Sequence, residues 1–458
     1  MKSESDKGMI IKRKIDSYLE EWLHNDNRMP LIVKGARQIG KTYSIEKFGK
    51  SHYKSVLSIN FVLQPQYRSI FDDGYEVDTI LKNITIINPS VKLIPGKTLL
   101  FFDELQSQPA AATSLKSFHQ DGRYDVICSG SLMGINYQEI ESNSVGYKED
   151  YEMYSLDFEE FLWAKGYTEQ QIEDLYQKMH TLQPLTTTEM ETMGRHYRDY
   201  LVVGGMPAVV KRYVTNNHLG GILEMQRQLL IDYEEDITKY VVGLDKGRVK
   251  NVYNHISIFL GQENKKFQIS KIGRNSRSRE YVGTIEWLEE AGIIHVCHCL
   301  NQPSLPLKGN YVATMYKLYY HDNGMLIASL DEEAQEDLRQ NRNFNTYKGA
   351  IYENAVAEAL SKQRYGLYYY RNEKSTIEMD FFIRDAESLI PIEVKAGKNA
   401  SKSLVRLIES DDYPDIRYGI KLSNQNIGYD GRFYTLPYFM AFMLKRFVRE
   451  RRKNDTMR

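Results

Sequence analysis

Cysteine is scarce in this chain. Its 458 residues include three, Cys128, Cys297 and Cys299, and no C-x-x-C pair. Neither a disulfide framework nor a paired-cysteine zinc site is available from that set, and a reduced, cytoplasmic setting fits it best. No run of about 18 apolar residues occurs, so no membrane span is expected. The opening residues, MKSESDKGM, are polar and lack the apolar stretch of a signal peptide. Net charge is also nearly absent. Charged residues make up 26% of the chain yet sum to −1, so attraction of the whole molecule to nucleic acid is not implied and any such surface has to be local.

What is present is a core: 42% of the residues are hydrophobic, and the length allows about three domains. Tyrosine is abundant, with 34 residues, including Tyr319-Tyr320 and Tyr368-Tyr369-Tyr370. These read first as strand and core-edge packing, which suits tyrosine on a half-buried pleated surface.

The most informative stretch is residues 29–44, MPLIVKGARQIGKTYS. Leu31-Ile32-Val33 predicts a short buried strand. Gly35 and Gly40 then bracket Ala36, Arg37, Gln38 and Ile39, and Lys41, Thr42 and Tyr43 open a helix. This is G-x-x-x-x-G-K-[ST], the phosphate-binding P-loop. Glycines let the backbone curl with its N–H groups aimed at phosphate oxygens, and the helix N-terminus adds donors and partial positive charge. Lys41 reaches the β- and γ-phosphates of ATP, and Thr42 offers its hydroxyl to Mg²⁺.

Around it the pattern alternates. Residues 11–24 have helical apolar spacing at Ile11, Ile15, Tyr18, Leu19 and Trp22 and predict an entry helix. Residues 55–62 read as a strand and 78–88 as a helix. KTLLFFDELQ, residues 97–106, is a buried strand that delivers Asp103 and Glu104 at its C-terminal end, where ligands of open α/β sheets bind. Asp103 would hold Mg²⁺, and Glu104 would orient and deprotonate the attacking water. Residues 124–131, YDVICSGS, are another strand, and Ser129 or Ser131 at its end would contact the γ-phosphate or the water. Alternation of this kind predicts a doubly wound parallel α/β domain.

On PLIVKGARQIGKTY, TLLFFDELQ, VICSGSLMG and LDFEEFL, the chain resembles prokaryotic AAA+-type P-loop ATPases that carry an uncharacterised C-terminal region. The likeness continues through LVVGGMPAVV and DYEEDITKY. It implies ATP binding and hydrolysis. Where the resemblance leads one to expect a Gly-Arg pair, Gly146 is followed by Tyr147 and Lys148. Lys148 is a partial substitute for an arginine finger, and Arg195 and Arg198 remain alternatives.

Residues 166–240 are helical in pattern, interrupted by Gly204-Gly205-Met206-Pro207, a structural turn. Residues 248–300 predict a winged helix: a helix near 249–260, a second beginning in ISKIGRNS, and a third over 278–294 ended by Gly292. Strands follow at 295–300 and 315–320. Arg274, Arg277 and Arg279 lie where a recognition helix would meet DNA. His295, Cys297 and Cys299 fall on one face of a strand, which is favoured over a zinc site because no second ligand pair follows.

The last region carries a second chemical pattern. A helix over 347–362 contains Glu353, a strand over 375–383 carries Asp380, and a strand over 389–395 ends in Glu393-Val394-Lys395. Helical glutamate, aspartate and E-x-K form the restriction-endonuclease-like arrangement written PD-(D/E)XK, and the resemblance implies the same fold. Glu393 and Lys395 alternate onto one strand face. Asp380 and Glu393 would bind Mg²⁺ through hard oxygens, Lys395 would position water, and Glu353 would support the metal. Lys398, Lys402 and Arg406 could meet phosphates. The basic tail, KRFVRERRK, reads as a solvated helix end.

The expected division is an ATPase domain over 1–165, a helical lid over 166–244, a winged-helix-like domain over 245–322, a smaller α/β nuclease-like domain over 323–445, and a tail over 446–458. The expected activity is an ATPase coupled to a nuclease-like domain acting on DNA with Mg²⁺. The alternative is an ATP-dependent switch or scaffold whose nuclease-like domain binds without cleaving. Self-association is compatible with both.

Overall fold

The computed structural model describes residues 10–131, 144–262, 265–272, 278–340, 344–372, 377–395 and 401–456. The chain divides into two compact units, one of residues 12–155 with 290–292, and one of the remainder. Among the described residues no helix is long and apolar enough to cross a membrane.

The first unit is a parallel sheet in the order β2-β3-β4-β1-β5. Its strands are β1 (Leu31–Gly35), β2 (Ser55–Asn60), β3 (Thr98–Asp103), β4 (Asp125–Ser131) and β5 (Glu149–Glu152). Every residue of β3 is buried, which explains its continuous apolar run. Ile59, Phe61, Ile70, Phe102 and Phe118 meet in one core cluster, each contributing roughly 2 kcal/mol by leaving water. The entry helix runs Lys14–Leu23 and buries Ile15, Leu19 and Trp22. The strand expected over 55–62 stops at Asn60. Its side-chain Oδ1 accepts the N–H groups of Val62 and Leu63, and that local turn competes with the sheet ladder.

In the second unit, helices Phe158–Ala164, Glu169–Thr181, Thr187–Val203, Pro207–Asn216 and Ile222–Tyr240 follow one another. Asp157, Thr168 and Thr186 each cap the helix that follows them. The Gly204-Gly205 break is required by close approach as well as by turning. A Cβ on Gly205 would sit 2.0 Å from the Leu156 carbonyl oxygen.

Two sheets complete this unit. One has the order β7-β6-β8-β9 and the other β10-β11-β12-β14-β13. Their strands are β6 (Ile294–Leu300), β7 (Tyr311–Tyr320), β8 (Leu367–Arg371), β9 (Glu378–Met379), β10 (Phe381–Arg384), β11 (Leu389–Val394), β12 (Gly419–Ser423), β13 (Gly428–Tyr429) and β14 (Phe433–Pro437). β6 pairs antiparallel with β7 and parallel with β8, so strands on both sides of position 322/323 share one sheet. Helix Phe344–Lys362 packs against strands of both sheets.

Several local expectations are corrected. The first winged-helix helix is present as Lys246–Leu260, but ISK is a single 3-10 turn, and Arg274 and Arg277 lie outside the described residues. The helix expected over 278–294 is two pieces, Ser278–Tyr281 and Thr284–Glu290. Gly283, at φ 79°, breaks it. A register shift between His298 and Cys299 interrupts the alternation that would align His295, Cys297 and Cys299. The strand over 375–383 becomes β9 and β10 in different sheets, with Asp380 at the corner. The tail helix is docked rather than merely solvated: the Arg446 guanidinium binds Glu173 and lies 3.7 Å from the Tyr176 ring centroid.

Candidate nucleotide site and carboxylate cluster

β1 delivers the chain to Gly35, where a Cβ would stand 2.2 Å from the Met153 carbonyl oxygen. Gln38 and Gly40 take left-handed conformations, φ 60° and 94°, and the helix Lys41–His52 begins at once. Ala36 and Ile39 are buried, Arg37 is half-buried, and Gln38 and Tyr43 are exposed. The loop is fastened from behind by the buried Arg13, which donates to the carbonyls of Ile39 at 2.8 Å and Tyr154 at 2.7 Å. Lys41 Nζ curls over the loop and donates to the carbonyls of Gly35 at 3.0 Å and Ala36 at 2.6 Å. Burial pushes the Lys41 ammonium down to about 8, against the opposing pull of Glu104 and Asp103.

Asp103 is the hub of the site and is 4% exposed. Its Oδ2 accepts from Thr42 Oγ1 at 3.0 Å and from Asn60 Nδ2 at 2.9 Å, and its Oδ1 accepts from Ser129 Oγ. The register explains the meeting: Asn60 pairs with Asp103 across β2 and β3, and β4, carrying Ser129, lies between β3 and β1. Glu104 follows in a left-handed conformation, φ 59°, and accepts from the Gln106 amide. Gln106 Oε1 in turn accepts from the Ser131 N–H at 3.3 Å. Of the two serines proposed as sensors, Ser129 reaches Asp103, while the Ser131 hydroxyl is buried without a hydrogen-bond partner among the described residues.

Sequence reasoning missed Arg13, Asn60 and Gln106. Only Gln106 had a local signal, as the residue two beyond Glu104. Lys148, read as a partial arginine substitute, is bound to Asp150 at 2.6 Å with its side chain 8% exposed. It is tied into the flank of β5.

The donor set at the P-loop fits Mg²⁺: a threonine hydroxyl and a buried carboxylate are hard oxygen ligands of the kind that hold this ion beside phosphates.

In the second unit, the four residues expected to converge lie on neighbouring elements. Phe381 pairs with Ile392 across β10 and β11, which sets Asp380 opposite Glu393. Asp380 Oδ2 accepts the Val394 N–H at 2.8 Å. Glu393 Oε1 accepts from Lys395 Nζ at 3.0 Å, while its Oε2 is buried without a partner among the described residues. Glu353 is 3% exposed and is bound on both oxygens: Oε1 by Lys317 Nζ at 3.0 Å and Tyr319 OH at 2.5 Å, Oε2 by Lys265 Nζ. Burial, then the Glu353 charge, pushes Asp380 well above the usual carboxylate range, whereas Lys317 and Lys265 hold Glu353 below it despite burial. Among the described residues no three His, Cys, Asp or Glu side chains are gathered as metal ligands. Lys402 and Arg406 are exposed on the helix Lys402–Glu409, and Lys398 lies outside the described residues.

Residues 27–162 match the family described as AAA domain. The first unit contains a P-loop ATPase domain. Beyond it, residues 194–336 and 348–439 match two families, each described as a domain of unknown function. The protein described as uncharacterized protein MJ1544, from Methanocaldococcus jannaschii, is 24% identical over 398 residues, covering 81% of this chain and 79% of that one. Among solved structures, the Walker-type ATPase PABY2304 of Pyrococcus abyssi is similar over 70% of this chain and 96% of its own, with 15% identity and a TM-score of 0.42. The Aeropyrum pernix ORC1 protein in complex with DNA is similar over 73% and 92%, with 11% identity and a TM-score of 0.30.

Proposed function

We propose that this protein is an ATP-driven switch, in which an AAA-type domain binds and hydrolyses Mg-ATP and a C-terminal nuclease-like region engages a partner. The observation that carries the ATPase reading is the convergence of Thr42, Asn60 and Ser129 on the Asp103 carboxylate, directly beside the Lys41 loop. Residues 35–43 would wrap the phosphates. Thr42 and Asp103 would hold Mg²⁺, which supplies charge neutralisation on the phosphates when bound. Glu104 would take the proton from the attacking water, and Ser129 would keep Asp103 oriented while sensing the γ-phosphate.

The proposed division keeps an ATPase domain over 1–165 and a helical lid over 166–244. The winged-helix-like part over 245–322 and the nuclease-like part over 323–445 are proposed as two parts of one body, because β6 and β8 pair across them. The tail is 446–458. DNA is the proposed partner of the exposed Arg279, Lys402 and Arg406, and a cytoplasmic setting and ATP-dependent self-assembly complete the reading.

For the C-terminal cluster the geometry favours binding over cleavage, because both oxygens of Glu353 are already bound by cations and a phenol. A Mg²⁺-dependent DNA nuclease using Asp380, Glu393 and Lys395 is the second reading, and the buried Oε2 of Glu393, without a partner among the described residues, favours it. The test is ATP turnover and DNA cleavage measured together on plasmid, linear and single-stranded DNA with Mg²⁺ or Mn²⁺. The expected result is ATP turnover abolished by Lys41→Ala and no cleavage under any condition. Cleavage lost in Asp380→Ala would replace the switch with the nuclease. Lys41-independent turnover would remove the ATPase assignment. Light scattering with and without ATP reads the assembly state.

A further inference from the structure

The nuclease-like cluster already contains its cations. Lys317, on β7, is 2% exposed, and its Nζ lies 3.0 Å from Glu353 Oε1 and 3.6 Å from Glu378 Oε1. Asp380 is within electrostatic reach of the same ammonium. Lys265 closes on the other oxygen of Glu353 and also donates to the Gly349 carbonyl at 3.2 Å. Lys395 lies 3.0 Å from Glu393. Four carboxylates, of Glu353, Glu378, Asp380 and Glu393, therefore lie among the ammonium groups of Lys265, Lys317 and Lys395, and the buried Lys421 of β12 pairs in register with Glu393.

A divalent ion added to that set would bring two further positive charges beside ammonium groups already paired with the carboxylates. It would also have to compete with the Lys317 ammonium, whose side chain is 2% exposed. A buried charge is tolerated when it is paired and becomes costly when its partner is taken away. Displacing Lys317 from Glu353 would leave such an unpaired charge. The donors present thus do not suit a Mg²⁺ ion in the way the P-loop donors do.

We propose that Lys317 is a built-in counter-cation that balances the carboxylates of the nuclease-like cluster in place of a divalent ion, so that the cluster is a latent metal site closed by its own lysine. This rests on the nuclease-like reading of the region around Glu353, Asp380 and Glu393. It further implies that a single side-chain change opens the site. No covalent step is involved.

The test is Mn²⁺ binding, followed by the loss of the free-ion paramagnetic signal. It uses the full-length chain without nucleotide, in an Asp103→Asn background that removes the P-loop ligand. The expected result is no bound Mn²⁺ up to about 1 mM. Adding Lys317→Met should give one bound ion with affinity at least about tenfold tighter than that limit, and further addition of Glu353→Gln should abolish it. Circular dichroism melting checks that each chain is folded. Should Lys317→Met not fold, Lys265→Met, at the rim of the cluster with 17% side-chain exposure, takes its place. It frees one oxygen of Glu353 and is expected to give a smaller gain. Mn²⁺ bound by the Asp103→Asn chain and lost on Asp380→Asn would overturn the inference and leave the nuclease-like reading standing. Absence of Mn²⁺ from every folded variant would overturn both.

Discussion

Thr42 and Asp103 are 61 residues apart in the chain, yet Thr42 Oγ1 donates directly to Asp103 Oδ2 at 3.0 Å. The pair ties the first turn of the P-loop helix to the end of β3. Because Asp103 also accepts from Asn60 and Ser129, its carboxylate is oriented by three elements at once. That is the preorganisation a metal ligand needs.

Glu104 stands next to this hub and accepts from the Gln106 amide. Replacing Glu104 with glutamine keeps the shape and removes the proposed base. ATP affinity should stay close to wild type while turnover falls about 10²- to 10⁴-fold. A coupled ATPase assay beside a nucleotide-binding titration measures both. Unchanged turnover would rule Glu104 out as the base.

Asn60→Ala removes one of the three donors to Asp103 and also uncaps the turn at Val62 and Leu63. The expected cost is about 1–3 kcal/mol of stability, with weaker Mg²⁺ dependence of ATP binding. Asn60→Asp keeps the cap but sets a second carboxylate against Asp103, so it should melt lower than Asn60→Ala. If the two variants melt alike, repulsion at Asp103 is not the reason.

Lys41 has an ammonium lowered to about 8 by burial. Phosphate binding favours the charged form, so nucleotide binding should take up a proton as pH rises past that value. The dissociation constant should therefore increase about tenfold per unit from pH 8 toward the ordinary lysine value near 10.4. Calorimetry in buffers of different ionisation enthalpy reads the proton directly. Lys41→Met should bind weakly with no such slope.

Glu358 is buried among Tyr200, whose hydroxyl donates to it at 2.8 Å, Lys362, and the Asn323 N–H at 2.8 Å. Burial pushes it up to about 7, against the opposing effect of Lys362. A raised carboxyl favours folding when protonated. Its contribution is therefore complete below the unfolded value near 4.3 and is lost as pH climbs to 7, by about 4 kcal/mol in all. The difference in urea midpoint between wild type and Glu358→Gln should shift against wild type across that window and level off above it. A difference independent of pH would show that Glu358 stays ionised throughout.

How much of this was legible in the sequence depends on distance along the chain. The P-loop and the Asp103-Glu104 strand end were readable because each is a local pattern. Asn60 was not, since its role exists only in the register that pairs it with Asp103. In the second unit the sequence pattern grouped Glu353, Asp380, Glu393 and Lys395, of which Asp380 and Glu393 stand opposite each other. The lysines that neutralise Glu353 were not readable, because Lys317 and Lys265 lie 36 and 88 residues before it on other elements. The split between β9 and β10 was hidden for a similar reason: the Asp380 corner is fixed by a hydrogen bond from Val394, which period-two alternation cannot encode. The winged-helix expectation failed locally at Gly283, whose left-handed backbone outweighed a strong helical apolar pattern.

The parallel pairing of β6 with β8 has a consequence for inheritance. Cys297 to Leu300 hydrogen-bond alongside Leu367 to Tyr370, so a cut near position 322 would strip both fragments of a sheet neighbour and bare a long tyrosine-rich edge. Such an edge invites aggregation. The stretch from β6 to β14 therefore cannot be traded between proteins as two separate cassettes. Recombination breakpoints, and expression trials of isolated fragments, should not be tolerated between β7 and β8.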